Sequence, residues 1–159
     1  GPEREDLAKL ESFFSLIPRE LPYAVEIRNP DLVRPEFYQL LRSLGISPAF
    51  SSWTRMPPIG DQWRCYLDAG GASDSFPVLG LGALRPGRTY EEAVQLFQPY
   101  REIRDNDVEG QKQLCELALW AMKNDRKAYI LINNRWEGSA PHSIGRLIDL
   151  IQTGEVNGP

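Results

Sequence analysis

Ala128-Tyr-Ile-Leu-Ile-Asn-Asn-Arg-Trp-Glu-Gly-Ser-Ala-Pro141 is the stretch on which the fold turns. Its first five residues are β-branched or large and apolar after the alanine, and they pass abruptly into Asn133, Asn134, Arg135 and Glu137. That pattern predicts a strand buried on both faces, spanning 128–134 and ending in a polar rim. Ser139 then offers an N-cap with Pro141 close to the first turn, and Ile144, Leu147, Ile148 and Ile151 recur at helical spacing. A strand whose polar end runs into a helix is where α/β proteins keep their sites. The same residues also suit a plain strand-to-helix connection in which the asparagines only close a turn.

Working upstream, the same alternation repeats. Leu7, Leu10, Phe13, Phe14 and Ile17 mark one face of a helix that Pro18 ends. Residues 23–28 read as a strand with Glu26 and Arg28 on one face and Val25 and Ile27 on the other. Asp31 is a candidate cap for a helix carrying Phe37, Leu40, Leu41 and Leu44, stopped by Gly45. A short strand at 48–53 precedes the Pro57-Pro58 turn and one or two helical turns from Ile59 to Leu67. The run 77–84 has a strand's apolarity but contains Gly80 and Gly82, which signal a close backbone approach or a bulge. Thr89 and Glu92 form a capping box, and Val108 to Lys123 is the most regular helix, with Leu114, Leu117, Ala118 and Ala121 in one stripe. Four strands separated by helices, with no tight hairpin signal between them, predict an α/β fold built as a parallel (βα)4 arrangement.

A chain of 159 residues supports one well-buried core, so residues 1–159 are read as a single unit. A net charge of -4 gives no basic footprint and argues against nucleic-acid binding. Cys65 and Cys115 lie far apart without clustered histidines or further cysteines, the pattern of buried thiols in a reducing compartment, and no metal site is assigned. With no membrane-length apolar run and no signal-peptide pattern at the start, the chain reads as cytoplasmic, with no membrane partner. Gly1-Pro2 without an initiating Met looks like the scar of a cleaved tag or the edge of an excised fragment.

Three stretches carry a resemblance: Tyr23-Ala-Val-Glu-Ile-Arg-Asn-Pro30, Arg85 to Tyr100 with its Arg-Pro-Gly-Arg-Thr-Tyr-Glu-Glu-Ala-Val core, and Ile132 to Pro141. In order and spacing they resemble the YecE-like family, a domain of unknown function whose members look like TIM barrels. The Gly-Trp-Ser-Tyr-like opening and the second strand of that family's N-terminal half have no counterpart in this sequence. The resemblance therefore implies the C-terminal half of a TIM-barrel-like fold. It supplies no agreed activity and no cofactor. Half a barrel exposes a strand edge at each end, so the expected partner is the missing N-terminal barrel half or a second copy of the chain in a homodimer.

If these are barrel strands, their C-terminal ends share one mouth. It would collect Glu26, Arg28 and Asn29 from the first, Trp53 from the second, and Asn133, Asn134, Arg135 and Glu137 from the fourth. Arg28 and Arg135 could fork onto a carboxylate or phosphate, the asparagines could read hydroxyls, and Trp53 could stack on a flat or sugar-like ring. Glu26 and Glu137 are the available acid/base pair and, with asparagine oxygens, the only hard-metal ligands in reach. A structural reading stands beside this one, in which Glu26 and Arg28 form an ion pair that only orders the barrel. The family carries an arginine on the strand that here reads Val78 to Leu84, where this chain has no charge. His142, the sole histidine, is read as a surface or capping residue; Ser139 has no histidine placed by any signature to activate it, and Gly80/Gly82 lack the context of a phosphate loop. Two function classes follow: an enzyme of hydrolase or phosphoester type acting on a small polar or anionic substrate, and a non-catalytic ligand-binding or protein-interaction module.

Overall fold

A computed structural model of the chain describes residues 2–154. Gly1, half of the presumed scar, and residues 155–159 lie outside the described residues. The element order is α1 (Pro2–Leu16), β1 (Ala24–Glu26), α2 (Pro35–Leu44), β2 (Ser47–Ser52), α3 (Ile59–Asp68), β3 (Val78–Gly82), α4 (Tyr90–Phe97), α5 (Val108–Lys123), β4 (Ala128–Ile132), α6 (Asn134–Glu137) and α7 (Ala140–Thr153). The four strands form one parallel sheet in the order β1-β2-β3-β4, so the (βα)4 half-barrel arrangement expected from the sequence is the one observed.

The pleat assigns the two faces. A Cβ on Gly80 would point at Leu114 and Leu117 of α5, so Val78, Gly80 and Gly82 face the helices. Leu79, Leu81 and their cross-strand partners Tyr129 and Leu131 then face the concave side, which also receives Ala49, Ser51 and Glu26 by register. The helix-side core joins Phe37, Tyr38, Leu41, Phe50, Ile59, Tyr66, Val78, Leu114, Leu117 and Trp136 in one contiguous cluster. The concave side is left open at the β4 edge, where Tyr129 and Leu131 are 50% and 54% exposed. The two glycines of β3 mark a close approach rather than a bulge: a Cβ on Gly82 would lie 2.5 Å from the Trp136 ring.

Local chemistry explains the helix ends. Thr89 and Glu92 form the expected reciprocal capping box on α4, and Asp107 caps α5 by accepting from the Gly110 N–H at 3.1 Å. Gly45 takes φ +71° to close α2.

Boundaries differ from the sequence reading: β2 runs 47–52 rather than 48–53 and β3 78–82 rather than 77–84, and three further differences have a visible cause. Asp31 caps no helix: Asn29 accepts from its N–H and closes a 3-10 turn over Pro30–Leu32, and α2 restarts at Pro35 after an extended Arg34. β4 stops at Ile132 because Asn133 has become the cap of α6. β1 pairs only as far as Glu26, because beyond it the Gln62 side chain occupies the Ser51 backbone groups.

At the opposite end of the sheet, Asp74 holds Arg42 by two hydrogen bonds of 2.8 and 2.9 Å and accepts from the Tyr66 hydroxyl. Arg126 reaches Tyr66, Gly71 and Phe76 from the β4 side. Burial pushes the Tyr66 phenol up to about 12. Cys115 is buried as expected, whereas Cys65 is only partly so, and burial raises the pKa of both thiols. No helix among the described residues is long and apolar enough to cross a membrane.

Candidate ligand site at the strand ends

Glu26 is the last paired residue of β1 and shares the concave face with Ser51, whose Oγ donates to Glu26 Oε1 at 2.8 Å. Two residues on, Arg28 Nε donates to the same oxygen at 3.4 Å, and its guanidinium carbon lies 3.7 Å above the Trp53 ring. The Glu26 and Arg28 side chains are 23% and 54% exposed, so this pair contributes little to stability, on the order of 1 kcal/mol or less. Its effect is to aim the guanidinium. The contact expected between Glu26 and Arg28 is present, and neither asparagine takes part in it.

Trp53 is also packed against the buried cluster of Leu84, Ala93 and Phe97. A ligand ring could take the face that Arg28 covers only by displacing it, so the tryptophan serves here as a platform for the arginine. Asn29, Asn133 and Asn134 use their side-chain oxygens on the Asp31, Arg135 and Ala140 N–H groups, at 3.1, 2.9 and 2.8 Å. These are turn-closing contacts, which leave the amide nitrogens and one lone pair on each oxygen to meet a ligand. Arg135 stacks over Tyr90, its guanidinium carbon 4.5 Å from the ring centroid, with no carboxylate within ion-pair distance among the described residues.

Glu137 sits elsewhere. It is fully enclosed and accepts from the Asp107 N–H at 2.6 Å, from Gln111 Nε2 at 2.9 and 2.7 Å, and from Ser143 Oγ at 2.5 Å. Trp136 beside it donates from Nε1 to Asp107 at 2.9 Å. The two carboxylates named as an acid/base pair thus occupy separate surroundings: Glu26 borders the concave face, and Glu137 ties α6 to the start of α5 and to α7. The cause lies in α6, a single turn that swings the residues after Asn133 back into the helix layer.

Contacts between distant segments escaped the sequence reading. Asp105 receives Arg85 Nη1 at 2.7 Å and also pairs with Arg88. The Arg88 hydrogen bond, followed by that from Arg85, holds the Asp105 carboxyl below the usual range against the opposing effect of burial. The Arg-Pro-Gly-Arg loop was visible in the sequence, but nothing in it identified its acceptor. Ser139, read as lacking a histidine, has one: its Oγ lies 2.7 Å from His142 Nδ1. A helix cap and the third helical residue lie side by side, so the spacing of three carried that signal. Ser139 is 2% exposed and offers no helix-capping hydrogen bond of its own. Among the described residues, no three His, Cys, Asp or Glu side chains are grouped to hold a metal ion.

The profile of the family described as "Protein of unknown function DUF72" matches residues 1–158. The chain belongs to the DUF72 family. The match spans all four βα units, and the YecE-like resemblance read from Tyr23–Pro30, Arg85–Tyr100 and Ile132–Pro141 agrees with it. No curated protein and no solved structure matches this DUF72 chain.

Proposed function

We propose that this DUF72 chain binds a small anionic ligand at the C-terminal ends of its strands, with Arg28 and Arg135 as the anion-holding groups and Trp53 supporting the first of them. The observation that carries this reading is the chain of contacts from Ser51 through Glu26 to Arg28 over Trp53, which orients a guanidinium and leaves its terminal nitrogens unused among the described residues. Asn29, Asn133 and Asn134 contribute amide donors at the rim. The non-catalytic binding module is therefore the first reading.

A catalytic reading, hydrolysis or phosphoester chemistry with Glu26 as base, is favoured by one observation. Glu26 Oε2 has no partner among the described residues, while Oε1 is anchored. Glu137 enters this reading as a positioning residue for α6. The two readings separate by substitution: Glu26→Gln, which keeps an oxygen to accept from Ser51 and Arg28, abolishes turnover with binding largely kept if Glu26 is the base, and only weakens binding if the site only binds. Thermal-shift titration with acetate, a dicarboxylate and inorganic phosphate tests the binding itself, since a ligand held only by the folded chain raises its melting temperature. No shift with any of these anions would remove the proposal.

We further propose that the unit is completed by another polypeptide. Among the described residues β1 and β4 are unpaired sheet edges, and beside β4 a groove of about 570 Å³ runs between Met122, Tyr129, Ile144, Leu147, Ile148 and Ile151. A chain supplying four more βα units, or a second copy closing eight strands, would cover both edges. Light scattering behind size exclusion reads the result, and a stable monomer that binds no apolar dye would argue against it. The half-buried and buried thiols of Cys65 and Cys115 suit a reducing compartment such as the cytoplasm.

A further inference from the structure

Two ion pairs of this chain are held in opposite ways. Asp74 meets Arg42 Nε with both carboxylate oxygens and accepts from the Tyr66 hydroxyl, while the terminal nitrogens of Arg42 donate to Ala69 and Ser73. Every nitrogen of that guanidinium is engaged by the fold. Glu26 and Arg28 meet through one atom of each, Oε1 and Nε, at 3.4 Å. Glu26 Oε2 and both terminal nitrogens of Arg28 have no hydrogen-bond partner among the described residues.

What this pair leaves open is also held in place. The enclosed Ser51 hydroxyl donates to Glu26 Oε1 at 2.8 Å, and Trp53, packed on Leu84, Ala93 and Phe97, lies 3.7 Å from the Arg28 guanidinium carbon. Stacking on the indole covers one face of the guanidinium and leaves its in-plane N–H edge, the geometry that forks onto a carboxylate. A free acceptor oxygen and a free donor edge thus stand side by side, each one group's width beyond the contact that joins them. Charge then decides the ligand. A bare anion on Arg28 is attracted by one cation and repelled by the carboxylate beside it, whereas a ligand that brings a carboxylate to Arg28 and a cation to Glu26 gains from both.

We infer that this pair recognises the head group of a 2-amino acid, its carboxylate forked on Arg28 and its ammonium donating to Glu26 Oε2. This deepens the anion-binding reading above and rests on it: the carboxylate is the anion, and the ammonium is the added requirement. A 2-amino acid carries its amine on the carbon next to the carboxylate, which matches the adjacency of the free oxygen and the donor edge.

The test is calorimetric titration of the 159-residue chain with glycine, acetate, glycinamide and 6-aminohexanoate. These carry, in turn, both groups on one carbon, the carboxylate alone, the ammonium alone, and both groups far apart. Glycine should bind about ten-fold tighter than each of the other three, as a second charge-assisted contact requires. Glu26→Gln, whose amide oxygen still accepts from Ser51 and Arg28, should bring glycine down to the affinity of acetate. Arg28→Gln should bring it down to that of glycinamide, with circular dichroism native in both variants. Acetate bound as tightly as glycine, with both weakened in Arg28→Gln, would overturn the amino-acid head group and leave anion binding standing. Equal binding of glycine and 6-aminohexanoate would overturn it as well. Absence of glycine binding would also defeat this inference, and the anion-binding reading falls with it only if acetate and inorganic phosphate fail to bind too.

Discussion

The side-chain amide of Gln62 pairs with both backbone groups of Ser51, accepting from its N–H at 3.1 Å and donating to its C=O at 2.8 Å. In a parallel sheet those two groups face the neighbouring strand, and β1 has already ended at Glu26. Gln62 therefore stands in for a peptide of β1 and keeps the end of β2 satisfied where the sheet is narrowest. Its amide also donates to the Pro57 carbonyl at 2.8 Å. Ser51, so fixed, is the donor that anchors Glu26.

Gln62→Ala should be costly, because the Ser51 N–H and C=O are buried and would lose their partners, at about 1–3 kcal/mol for each buried group left unsatisfied. Gln62→Glu retains the acceptor for the N–H but sets a buried carboxylate oxygen against the Ser51 and Pro57 carbonyls, so at neutral pH it should be at least as costly as Ala. Urea unfolding gives the comparison, and a midpoint unchanged in the Ala variant would refute the stand-in role.

Glu137 accepts from three different residues in an enclosed space, and none of those three donors is a cation. Glu137→Gln turns an acceptor into a donor opposite Gln111 Nε2 and should cost about 2 kcal/mol or more. Glu137→Ala, which adds a cavity and strands the Asp107 N–H, should cost more still. Ligand affinity at the strand ends should change little in the Gln variant. A large affinity loss with stability intact would return Glu137 to the ligand site.

Asp105 provides a pH test. Its carboxyl is held below the usual range by Arg88 and then Arg85, so its contribution is complete above the unfolded value of about 3.9 and is lost as pH falls through the lower folded value. With the side chain 31% exposed, that contribution should be about 1 kcal/mol or less after screening. Asp105→Asn should therefore be slightly less stable than the wild type at pH 7, and the gap should close as the pH falls through that lowered folded-state value. A gap that persists at low pH, or that ignores salt, would mean the carboxylate charge is not the cause.

Gly82→Ala tests the packing of β3. The added methyl would meet Trp136 Cε3 at 2.5 Å, and that ring is enclosed and tied to Asp107 through its Nε1. The ring cannot move without losing its hydrogen bond, so we expect a loss of about 1–3 kcal/mol by thermal or urea unfolding. Gly87→Ala also loses stability, through its φ of +81° alone, because nothing lies within 4 Å of its Cβ position. A Gly82→Ala chain as stable as the wild type would show that the ring has room.

How much of this was legible in the sequence depends on the range of the forces involved. The four strands, their parallel order and the helices at 90–97 and 108–123 follow from hydrophobic period, caps and the absence of hairpin turns, all of which are local. The Glu26–Arg28 contact was legible for the same reason, since a spacing of two puts both on one face of a strand. Likewise, the glycines of β3 announced that something packs closely against them. What packs there, Trp136 and Leu114, is separated from them by tens of residues, and only the closed helix layer brings it in.

The same limit governs the site. Asn133, Arg135 and Glu137 are neighbours in sequence, yet one turn of helix sends the first to a cap, the second to Tyr90 and the third into the interior. The sequence by itself determined the parallel (βα)4 order and which strand ends carry charge, because periodicity and turn chemistry act over a few residues. Only the tertiary structure decided which charges remain available at those ends. A charge is used up by partners such as Asp105 for Arg85 or Gln111 for Glu137, and those partners are supplied by packing rather than by proximity along the chain.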